Sequence, residues 1–270
     1  MSDYKEFLKK GWIVFPPEEA VINWVSEVQK PALATAEDPK FSQWHRCQGT
    51  WFVGVNVLGN DAAGRVQGGA AFRGAVKYFL DRHLAFGDYG FDAGQVSIIY
   101  PGYPKPREGE SQAAFAFRRD RDAAHVDGLH PSGVDAARHQ NEFQAFLLGV
   151  SITMADERAA PLVVWEGSHR IMAQLYRKAF DNIAAHDWPK VDLTAAYHAA
   201  RRQIFASCKR QIVHVPLGGA YLVHRFALHG VAPWRDDALA DPKGRAIAYF
   251  RPEDQTDQGR QNWLYGDKWL

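Results

Sequence analysis

Val215-Pro-Leu-Gly-Gly-Ala-Tyr-Leu-Val-His-Arg-Phe-Ala-Leu-His-Gly230 holds a Gly-Gly turn, the run Ala220–His224, and a second interruption at His229-Gly230. A run this short, bounded by turn residues, is of strand length; a buried helix needs roughly 10 to 12 residues. Working outward, Val96–Tyr100, Ala145–Met154, Leu162–Trp165, Ile212–Val215 and Ala246–Phe250 repeat the pattern, with turn signals between them. Several short strands at such spacing predict an antiparallel sandwich or barrel, not a parallel α/β sheet. One helical insertion, about 168–208, interrupts them. Met172, Leu175, Tyr176 and Ala179 recur at i, i+3, i+4 and i+7, and Leu193–Cys208 is also expected to be helical.

The first 90 or so residues read differently. A short helical piece leads to Gly11-Trp-Ile-Val-Phe15, of strand length, which Pro16 and Pro17 end. Val21, Trp24, Val25 and Val28 mark one face of a helix, which Pro31 is expected to stop. Thr50–Leu58 alternates as a strand, and Phe72–Leu84 is predicted helical. The expected fold is mainly β with flanking helices: a double-stranded β-helix (jelly roll, cupin-like barrel). With no repeat, low-complexity tract or long linker, residues 1–270 are expected to form one domain, with helices over about 1–90 and a β core over about 95–252.

The chain has 270 residues, 46% of them hydrophobic and 23% charged, with a formal net charge of +1. That balance points away from nucleic-acid and anionic-membrane partners. The basic residues Arg118, Arg119 and Arg121 alternate with Asp120 and Asp122, as on a solvated face. Two distant cysteines, Cys47 and Cys208, make no disulfide framework and fit a reducing compartment. Met1–Lys10 is charged where a signal peptide would be apolar, and no run reaches the ~18 apolar residues of a membrane span. A cytoplasmic protein acting on a small molecule is expected.

Arg121-Asp-Ala-Ala-His-Val-Asp-Gly128 carries the chemistry. On a strand, His125 and Asp127 would point to the same side, with Val126 opposed. A second histidine from a neighbouring strand would complete two imidazoles and one carboxylate on one face of a metal. That set leaves positions open on Fe(II) for a bidentate co-substrate and O₂. His229 is the preferred partner because Gly230 behind it lets backbone approach closely; His224, in the same segment, is the rival. Arg245, opening the strand Arg-Ala-Ile-Ala-Tyr-Phe250, is suited to grip a carboxylate, and Arg251 shares its strand parity.

In this order the motifs resemble the phytanoyl-CoA dioxygenase family of Fe(II)/2-oxoglutarate-dependent oxygenases over most of the chain. The matching pieces are Gly11-Trp-Ile-Val-Phe-Pro16, His125-Val-Asp127, Pro161-Leu-Val-Val-Trp-Glu-Gly-Ser-His-Arg170 and the 215–224 stretch. The resemblance implies that His125, Asp127 and His229 ligate iron, that Arg245 binds the distal carboxylate of 2-oxoglutarate, and that His169 is structural. Between His229 and Arg245 lies a longer loop than relatives carry, and Glu166 replaces a common proline. A carboxylate at Asp127, where halogenating relatives have a small residue, implies hydroxylation or a related oxidation with release of succinate and CO₂. The alternatives are a cupin-type metalloenzyme that needs no 2-oxoglutarate and a non-catalytic jelly-roll binding protein. Trp165 is the aromatic residue best placed to line a pocket.

Overall fold

The computed structural model describes residues 3–88, 90–133, 135–256 and 258–266. The chain begins with α1 (Asp3–Lys10), β1 (Trp12–Phe15) and α2 (Glu19–Ala34), then β2 (His45–Arg46), β3 (Trp51–Gly54), α3 (Ala75–Leu84) and β4 (Gln95–Ile99). The middle holds α4 (Gln112–Asp120), the hairpin β5 (Leu129–Ser132) and β6 (Ala137–Gln140), then β7 (Phe146–Ser151), β8 (Leu162–Glu166), α5 (Ser168–Ala179) and α6 (Thr194–Ser207). It ends with β9 (Lys209–Val213), β10 (Ala220–His224), β11 (His229–Val231), β12 (Arg245–Phe250) and α7 (Gly259–Tyr265).

Seven strands form one antiparallel sheet in the order β1-β10-β7-β12-β4-β3-β2, and β11-β8-β9 form a second. Alternation along each strand sorts side chains between two layers of core. In β12, Ala246, Ala248 and Phe250 face the N-terminal helices, packing with Trp24, Phe72 and Phe91. Ile247 and Tyr249 turn the other way, toward Leu162, Val164 and Val213 of the smaller sheet. The outer face of that sheet, through Val163 and Trp165, is covered by Met172, Tyr176 and Ile204 of α5 and α6. The layers are therefore helix, sheet, sheet, helix, and each large apolar side chain buried between them contributes roughly 1.5–3 kcal/mol.

The mainly β architecture with flanking helices is as expected, but among the described residues the sheets do not join by hydrogen bonds into a closed barrel. Three local expectations also change. Pro31 does not stop α2, which continues to Ala34; the last turn tolerates the missing N–H because packing of Ala32 and Leu33 holds it. The strand expected over 50–58 ends at Gly54, where the chain turns through Asn56 at φ +58°. The 125–127 segment pairs only as a single bridge, His125 to His229, and not as a full strand.

Candidate metal centre

That one bridge is what assembles the site. The His125 N–H donates to the His229 carbonyl at 2.8 Å and the His229 N–H returns a bond to the His125 carbonyl at 3.0 Å. Two residues 104 positions apart are thereby set side by side, with ring centroids 4.6 Å apart. Asp127 follows two residues on, and one ligand atom from each of the three groups falls within 4.8 Å of the others. The Asp127 Oδ1 lies 3.3 Å from His125 Nε2 and 3.6 Å from His229 Nε2. These distances exceed good hydrogen bonds and approach the spacing of neighbouring ligands around one ion, about 3 Å for bonds of ~2.1 Å at right angles.

Tautomers are set locally. His125 Nδ1 sits 3.0 Å from the Ala123 carbonyl and His229 Nδ1 2.9 Å from the Ala227 carbonyl. An Nδ1–H donated to a carbonyl leaves Nε2 unprotonated, with its lone pair directed at the shared space. Burial alone would raise the Asp127 pKa, yet the close approach of His229 and His125 and the Arg251 charge hold it well below the usual carboxylate range. Burial likewise would lower His229, but Asp127 raises it above the ordinary imidazole value. The group sets a carboxylate anion between two imidazole nitrogens.

Two glycines make the approach possible. A Cβ at Gly230 would run into the Asp122 carbonyl, and Gly128, at φ +76°, would drive one into the Glu142 carbonyl. Asp122 is fixed by a bidentate pair with Arg210, both bonds 2.7 Å. Gln140 then holds the Asp127 carbonyl at 3.2 Å while accepting the Tyr176 hydroxyl at 2.6 Å, which ties the metal segment to α5. Neither Gln140 nor Tyr176 was legible in the sequence as a site residue, because both act through contacts between distant elements.

Of the rival residues, His224 is buried with its Nδ1 accepting the Phe226 N–H at 3.1 Å and its ring 4.8 Å from His169. His169 places Nε2 3.0 Å from the Leu8 carbonyl, and burial lowers its pKa to about 4. Both pack at the α1–α5 junction, apart from the cluster. Trp165 lies on the helix-facing side of β8, stacked edge-on to Phe205 at 5.2 Å.

The two arginines of β12 part company. Arg251, just past the strand, brings Nη1 to 3.8 Å from Asp127 Oδ2 and donates to Gln95. Arg245 is buried at the other end of the same strand face, beside the Tyr221 hydroxyl. Its Nη1 is buried without a hydrogen-bond partner among the described residues. Tyr221 in turn meets the Tyr249 hydroxyl at 2.6 Å across Gly149, where a Cβ would strike the Tyr221 ring. A buried guanidinium with a spare donor beside two hydroxyls could take an anion.

No protein-family model matches the chain, and no curated protein matches it. Solved structures to which it is similar include the non-heme alpha-ketoglutarate-dependent carbocyclase SnoK from nogalamycin biosynthesis, with TM-score 0.47 and 13% identity over 97% of this chain and 88% of that one. AviO1 from Streptomyces viridochromogenes Tue57 gives 0.42 and 12% over 93% of each. EctD from S. alaskensis with bound Fe gives 0.43 and 15% over 92% of this chain and 74% of that one. No helix among the described residues is long and apolar enough to cross a membrane.

Proposed function

We propose that this chain is a mononuclear non-haem iron oxygenase that uses 2-oxoglutarate and O₂ to oxidise a small molecule. The observation that carries the proposal is the backbone-clamped His125–Asp127–His229 group, two nitrogens and one carboxylate with both Nε2 lone pairs free. This donor set on one face of an ion is the arrangement of iron centres that keep positions open for a co-substrate and O₂. Iron bound with 2-oxoglutarate would supply the power to oxidise a C–H bond, forming succinate and CO₂.

The chain's own residues supply positions. His125, Asp127 and His229 would hold the metal, and Arg251 keeps the Asp127 carboxylate ionised and oriented. Arg245, with Tyr221 and Tyr249, would take the far carboxylate. Tyr249 stands one same-face step from Arg251, and such a step is about 7 Å, the scale of a five-carbon dicarboxylate. His214 reflects the uncompensated charge there: burial first, and then Arg245, lower its pKa. Asp127 fills the position a halide would need, which favours hydroxylation or a related oxidation. The strands pass repeatedly from the larger sheet to the smaller one between β7 and β12, which supports reading residues 1–270 as one catalytic domain wound as a jelly roll of the phytanoyl-CoA dioxygenase type.

The test is anaerobic addition of Fe(II) and 2-oxoglutarate. A weak visible charge-transfer band is expected in the wild type and none in Asp127→Ala. A wild type that shows no band and no titratable metal refutes the oxygenase.

A further inference from the structure

Outside the metal centre, three guanidinium groups gather on one face of α6. Tyr197, Arg201 and Phe205 follow at four-residue spacing and so share that face. Arg201 lies over both rings, 5.5 Å from Tyr197 and 5.3 Å from Phe205. Arg138 of β6 lies over Tyr197 at 5.3 Å, and Arg121 lies over Phe205 at 4.9 Å.

Some arginines of the chain meet a carboxylate, among them Arg118 with Glu110, Arg158 with Asp237 and Arg210 with Asp122. The mixed run at 118–122 resolves the same way, since Arg119 pairs with Asp120, and Arg121 alone is left over. Among the described residues, none of Arg121, Arg138 and Arg201 has an acid at ion-pairing distance. Arg201 is partly buried, and its Nε is buried with no hydrogen-bond partner. Burial, and then the charges of Arg138 and Arg121, lower its pKa. Like charges with a dry donor among them are unfavourable until an anion completes the group. Stacking on the rings fixes the guanidinium planes and leaves N–H edges free for an oxyanion.

The cluster is also tied to the metal segment. Val126, the residue between His125 and Asp127, is buried in the same apolar cluster as Tyr197. The Arg138 N–H donates to Thr194 Oγ1 at 2.8 Å and its carbonyl accepts from Leu193 at 2.9 Å, clamping β6 to the head of α6. The arginines thus flank the other face of the segment that carries two of the candidate ligands.

We propose that Arg121, Arg138 and Arg201 form a binding site for a phosphate-class oxyanion that is the charged end of the substrate. The site stands on its own geometry; giving its anion to the substrate rests on the function proposed above.

Titration of the chelator-treated full chain with inorganic phosphate at constant ionic strength tests the site. Saturable one-to-one binding is expected. Arg201→Gln and Arg138→Gln should each weaken it roughly tenfold or more, with unchanged circular dichroism, because each removes a charged donor from the anion. Arg202→Gln, an equal charge change on an exposed residue next door, should leave it unchanged. Absence of saturable binding, equal loss in Arg202→Gln, or displacement of phosphate by 2-oxoglutarate overturns the site. With Fe(II), O₂ and 2-oxoglutarate, a panel of phosphate monoesters should include compounds that stimulate succinate formation, with KM raised and kcat kept in Arg201→Gln. Phosphate binding without such stimulation, in an enzyme that consumes 2-oxoglutarate, overturns the assignment to substrate. Phosphate binding in a chain with no charge-transfer band sinks the oxygenase alone.

Discussion

Arg245 opens β12 and Arg251 follows its last residue, six residues on and with the same parity, yet they live in different chemical worlds. Arg251, partly exposed, has its charge answered by Asp127 and its fork by Gln95. Arg245, buried, has a tyrosine on one side and an unanswered donor on the other. A satisfied arginine at a strand end stabilises what is already there. A dry, unsatisfied one in a folded interior implies a missing anion, since leaving it uncompensated costs free energy. Parity along β12 could not separate the two; what lies across the neighbouring strands does.

The comparison breaks most sharply at the group Arg251 leans on. Asp127→Ala should lose 2-oxoglutarate turnover and reduce iron affinity by more than about 100-fold, since even residues behind metal ligands cost 10–100-fold. Metal analysis after dialysis reads this directly, and retained iron would remove Asp127 from the ligand set. At the other end, Arg245→Gln should raise the KM for 2-oxoglutarate roughly 30-fold or more while iron binding persists, as for loss of one partner of a buried charge pair. Arg251→Gln should leave that KM within about threefold. The opposite pattern would exchange the two assignments.

A smaller effect concerns protons. His229 must be neutral at Nε2 to bind metal, and Asp127 holds its pKa above the ordinary value. Metal affinity should therefore fall on acidification, beginning above pH ~6.5. Titrations at pH 8, 7 and 6 check this, and a flat profile would argue against His229 as a ligand. The least change is expected behind Arg251, where Asp92 accepts its N–H at 2.9 Å and burial pushes the Asp92 carboxyl up to about 6. A carboxyl raised in the folded state binds its proton more tightly there than in the unfolded chain. Its contribution to stability is thus present at low pH and lost as pH rises through about 6. Asp92→Asn, which can still accept the N–H, should stabilise by on the order of 2 kcal/mol at pH 8 and little at pH 4. Thermal melts at the two pH values compare directly.

Much of the β framework was legible because hydrophobic alternation is a local property. Ala220–His224 and Arg245–Phe250 are strands where the pattern places them. Helix α5 begins at Ser168, within the Gly-Ser-His motif, and buries Met172 and Tyr176 of its expected stripe. What escaped were elements with little apolar signal. Helix α4 has no buried residue, and the β5–β6 hairpin is largely exposed on its first strand. The three-residue β11 is too short to show a period. At the site, His125, Asp127, His229 and Arg245 were visible as residue types next to glycines and strands. Arg251 was visible only as a possibility, and Gln140, Tyr221 and Tyr249 were not visible as site residues.

By itself the sequence named the side chains that could bind a metal and set His125 and Asp127 two residues apart, a spacing that puts them on one side where backbone is extended. It also marked where close backbone approach is allowed, at Gly230. Only the tertiary structure decided that His229, not His224, joins them, since that depends on one pair of hydrogen bonds between segments 104 residues apart. The same holds for which arginine is left without an anion. Ion pairing and burial are properties of neighbours in space, and the order of residues along the chain does not name those neighbours.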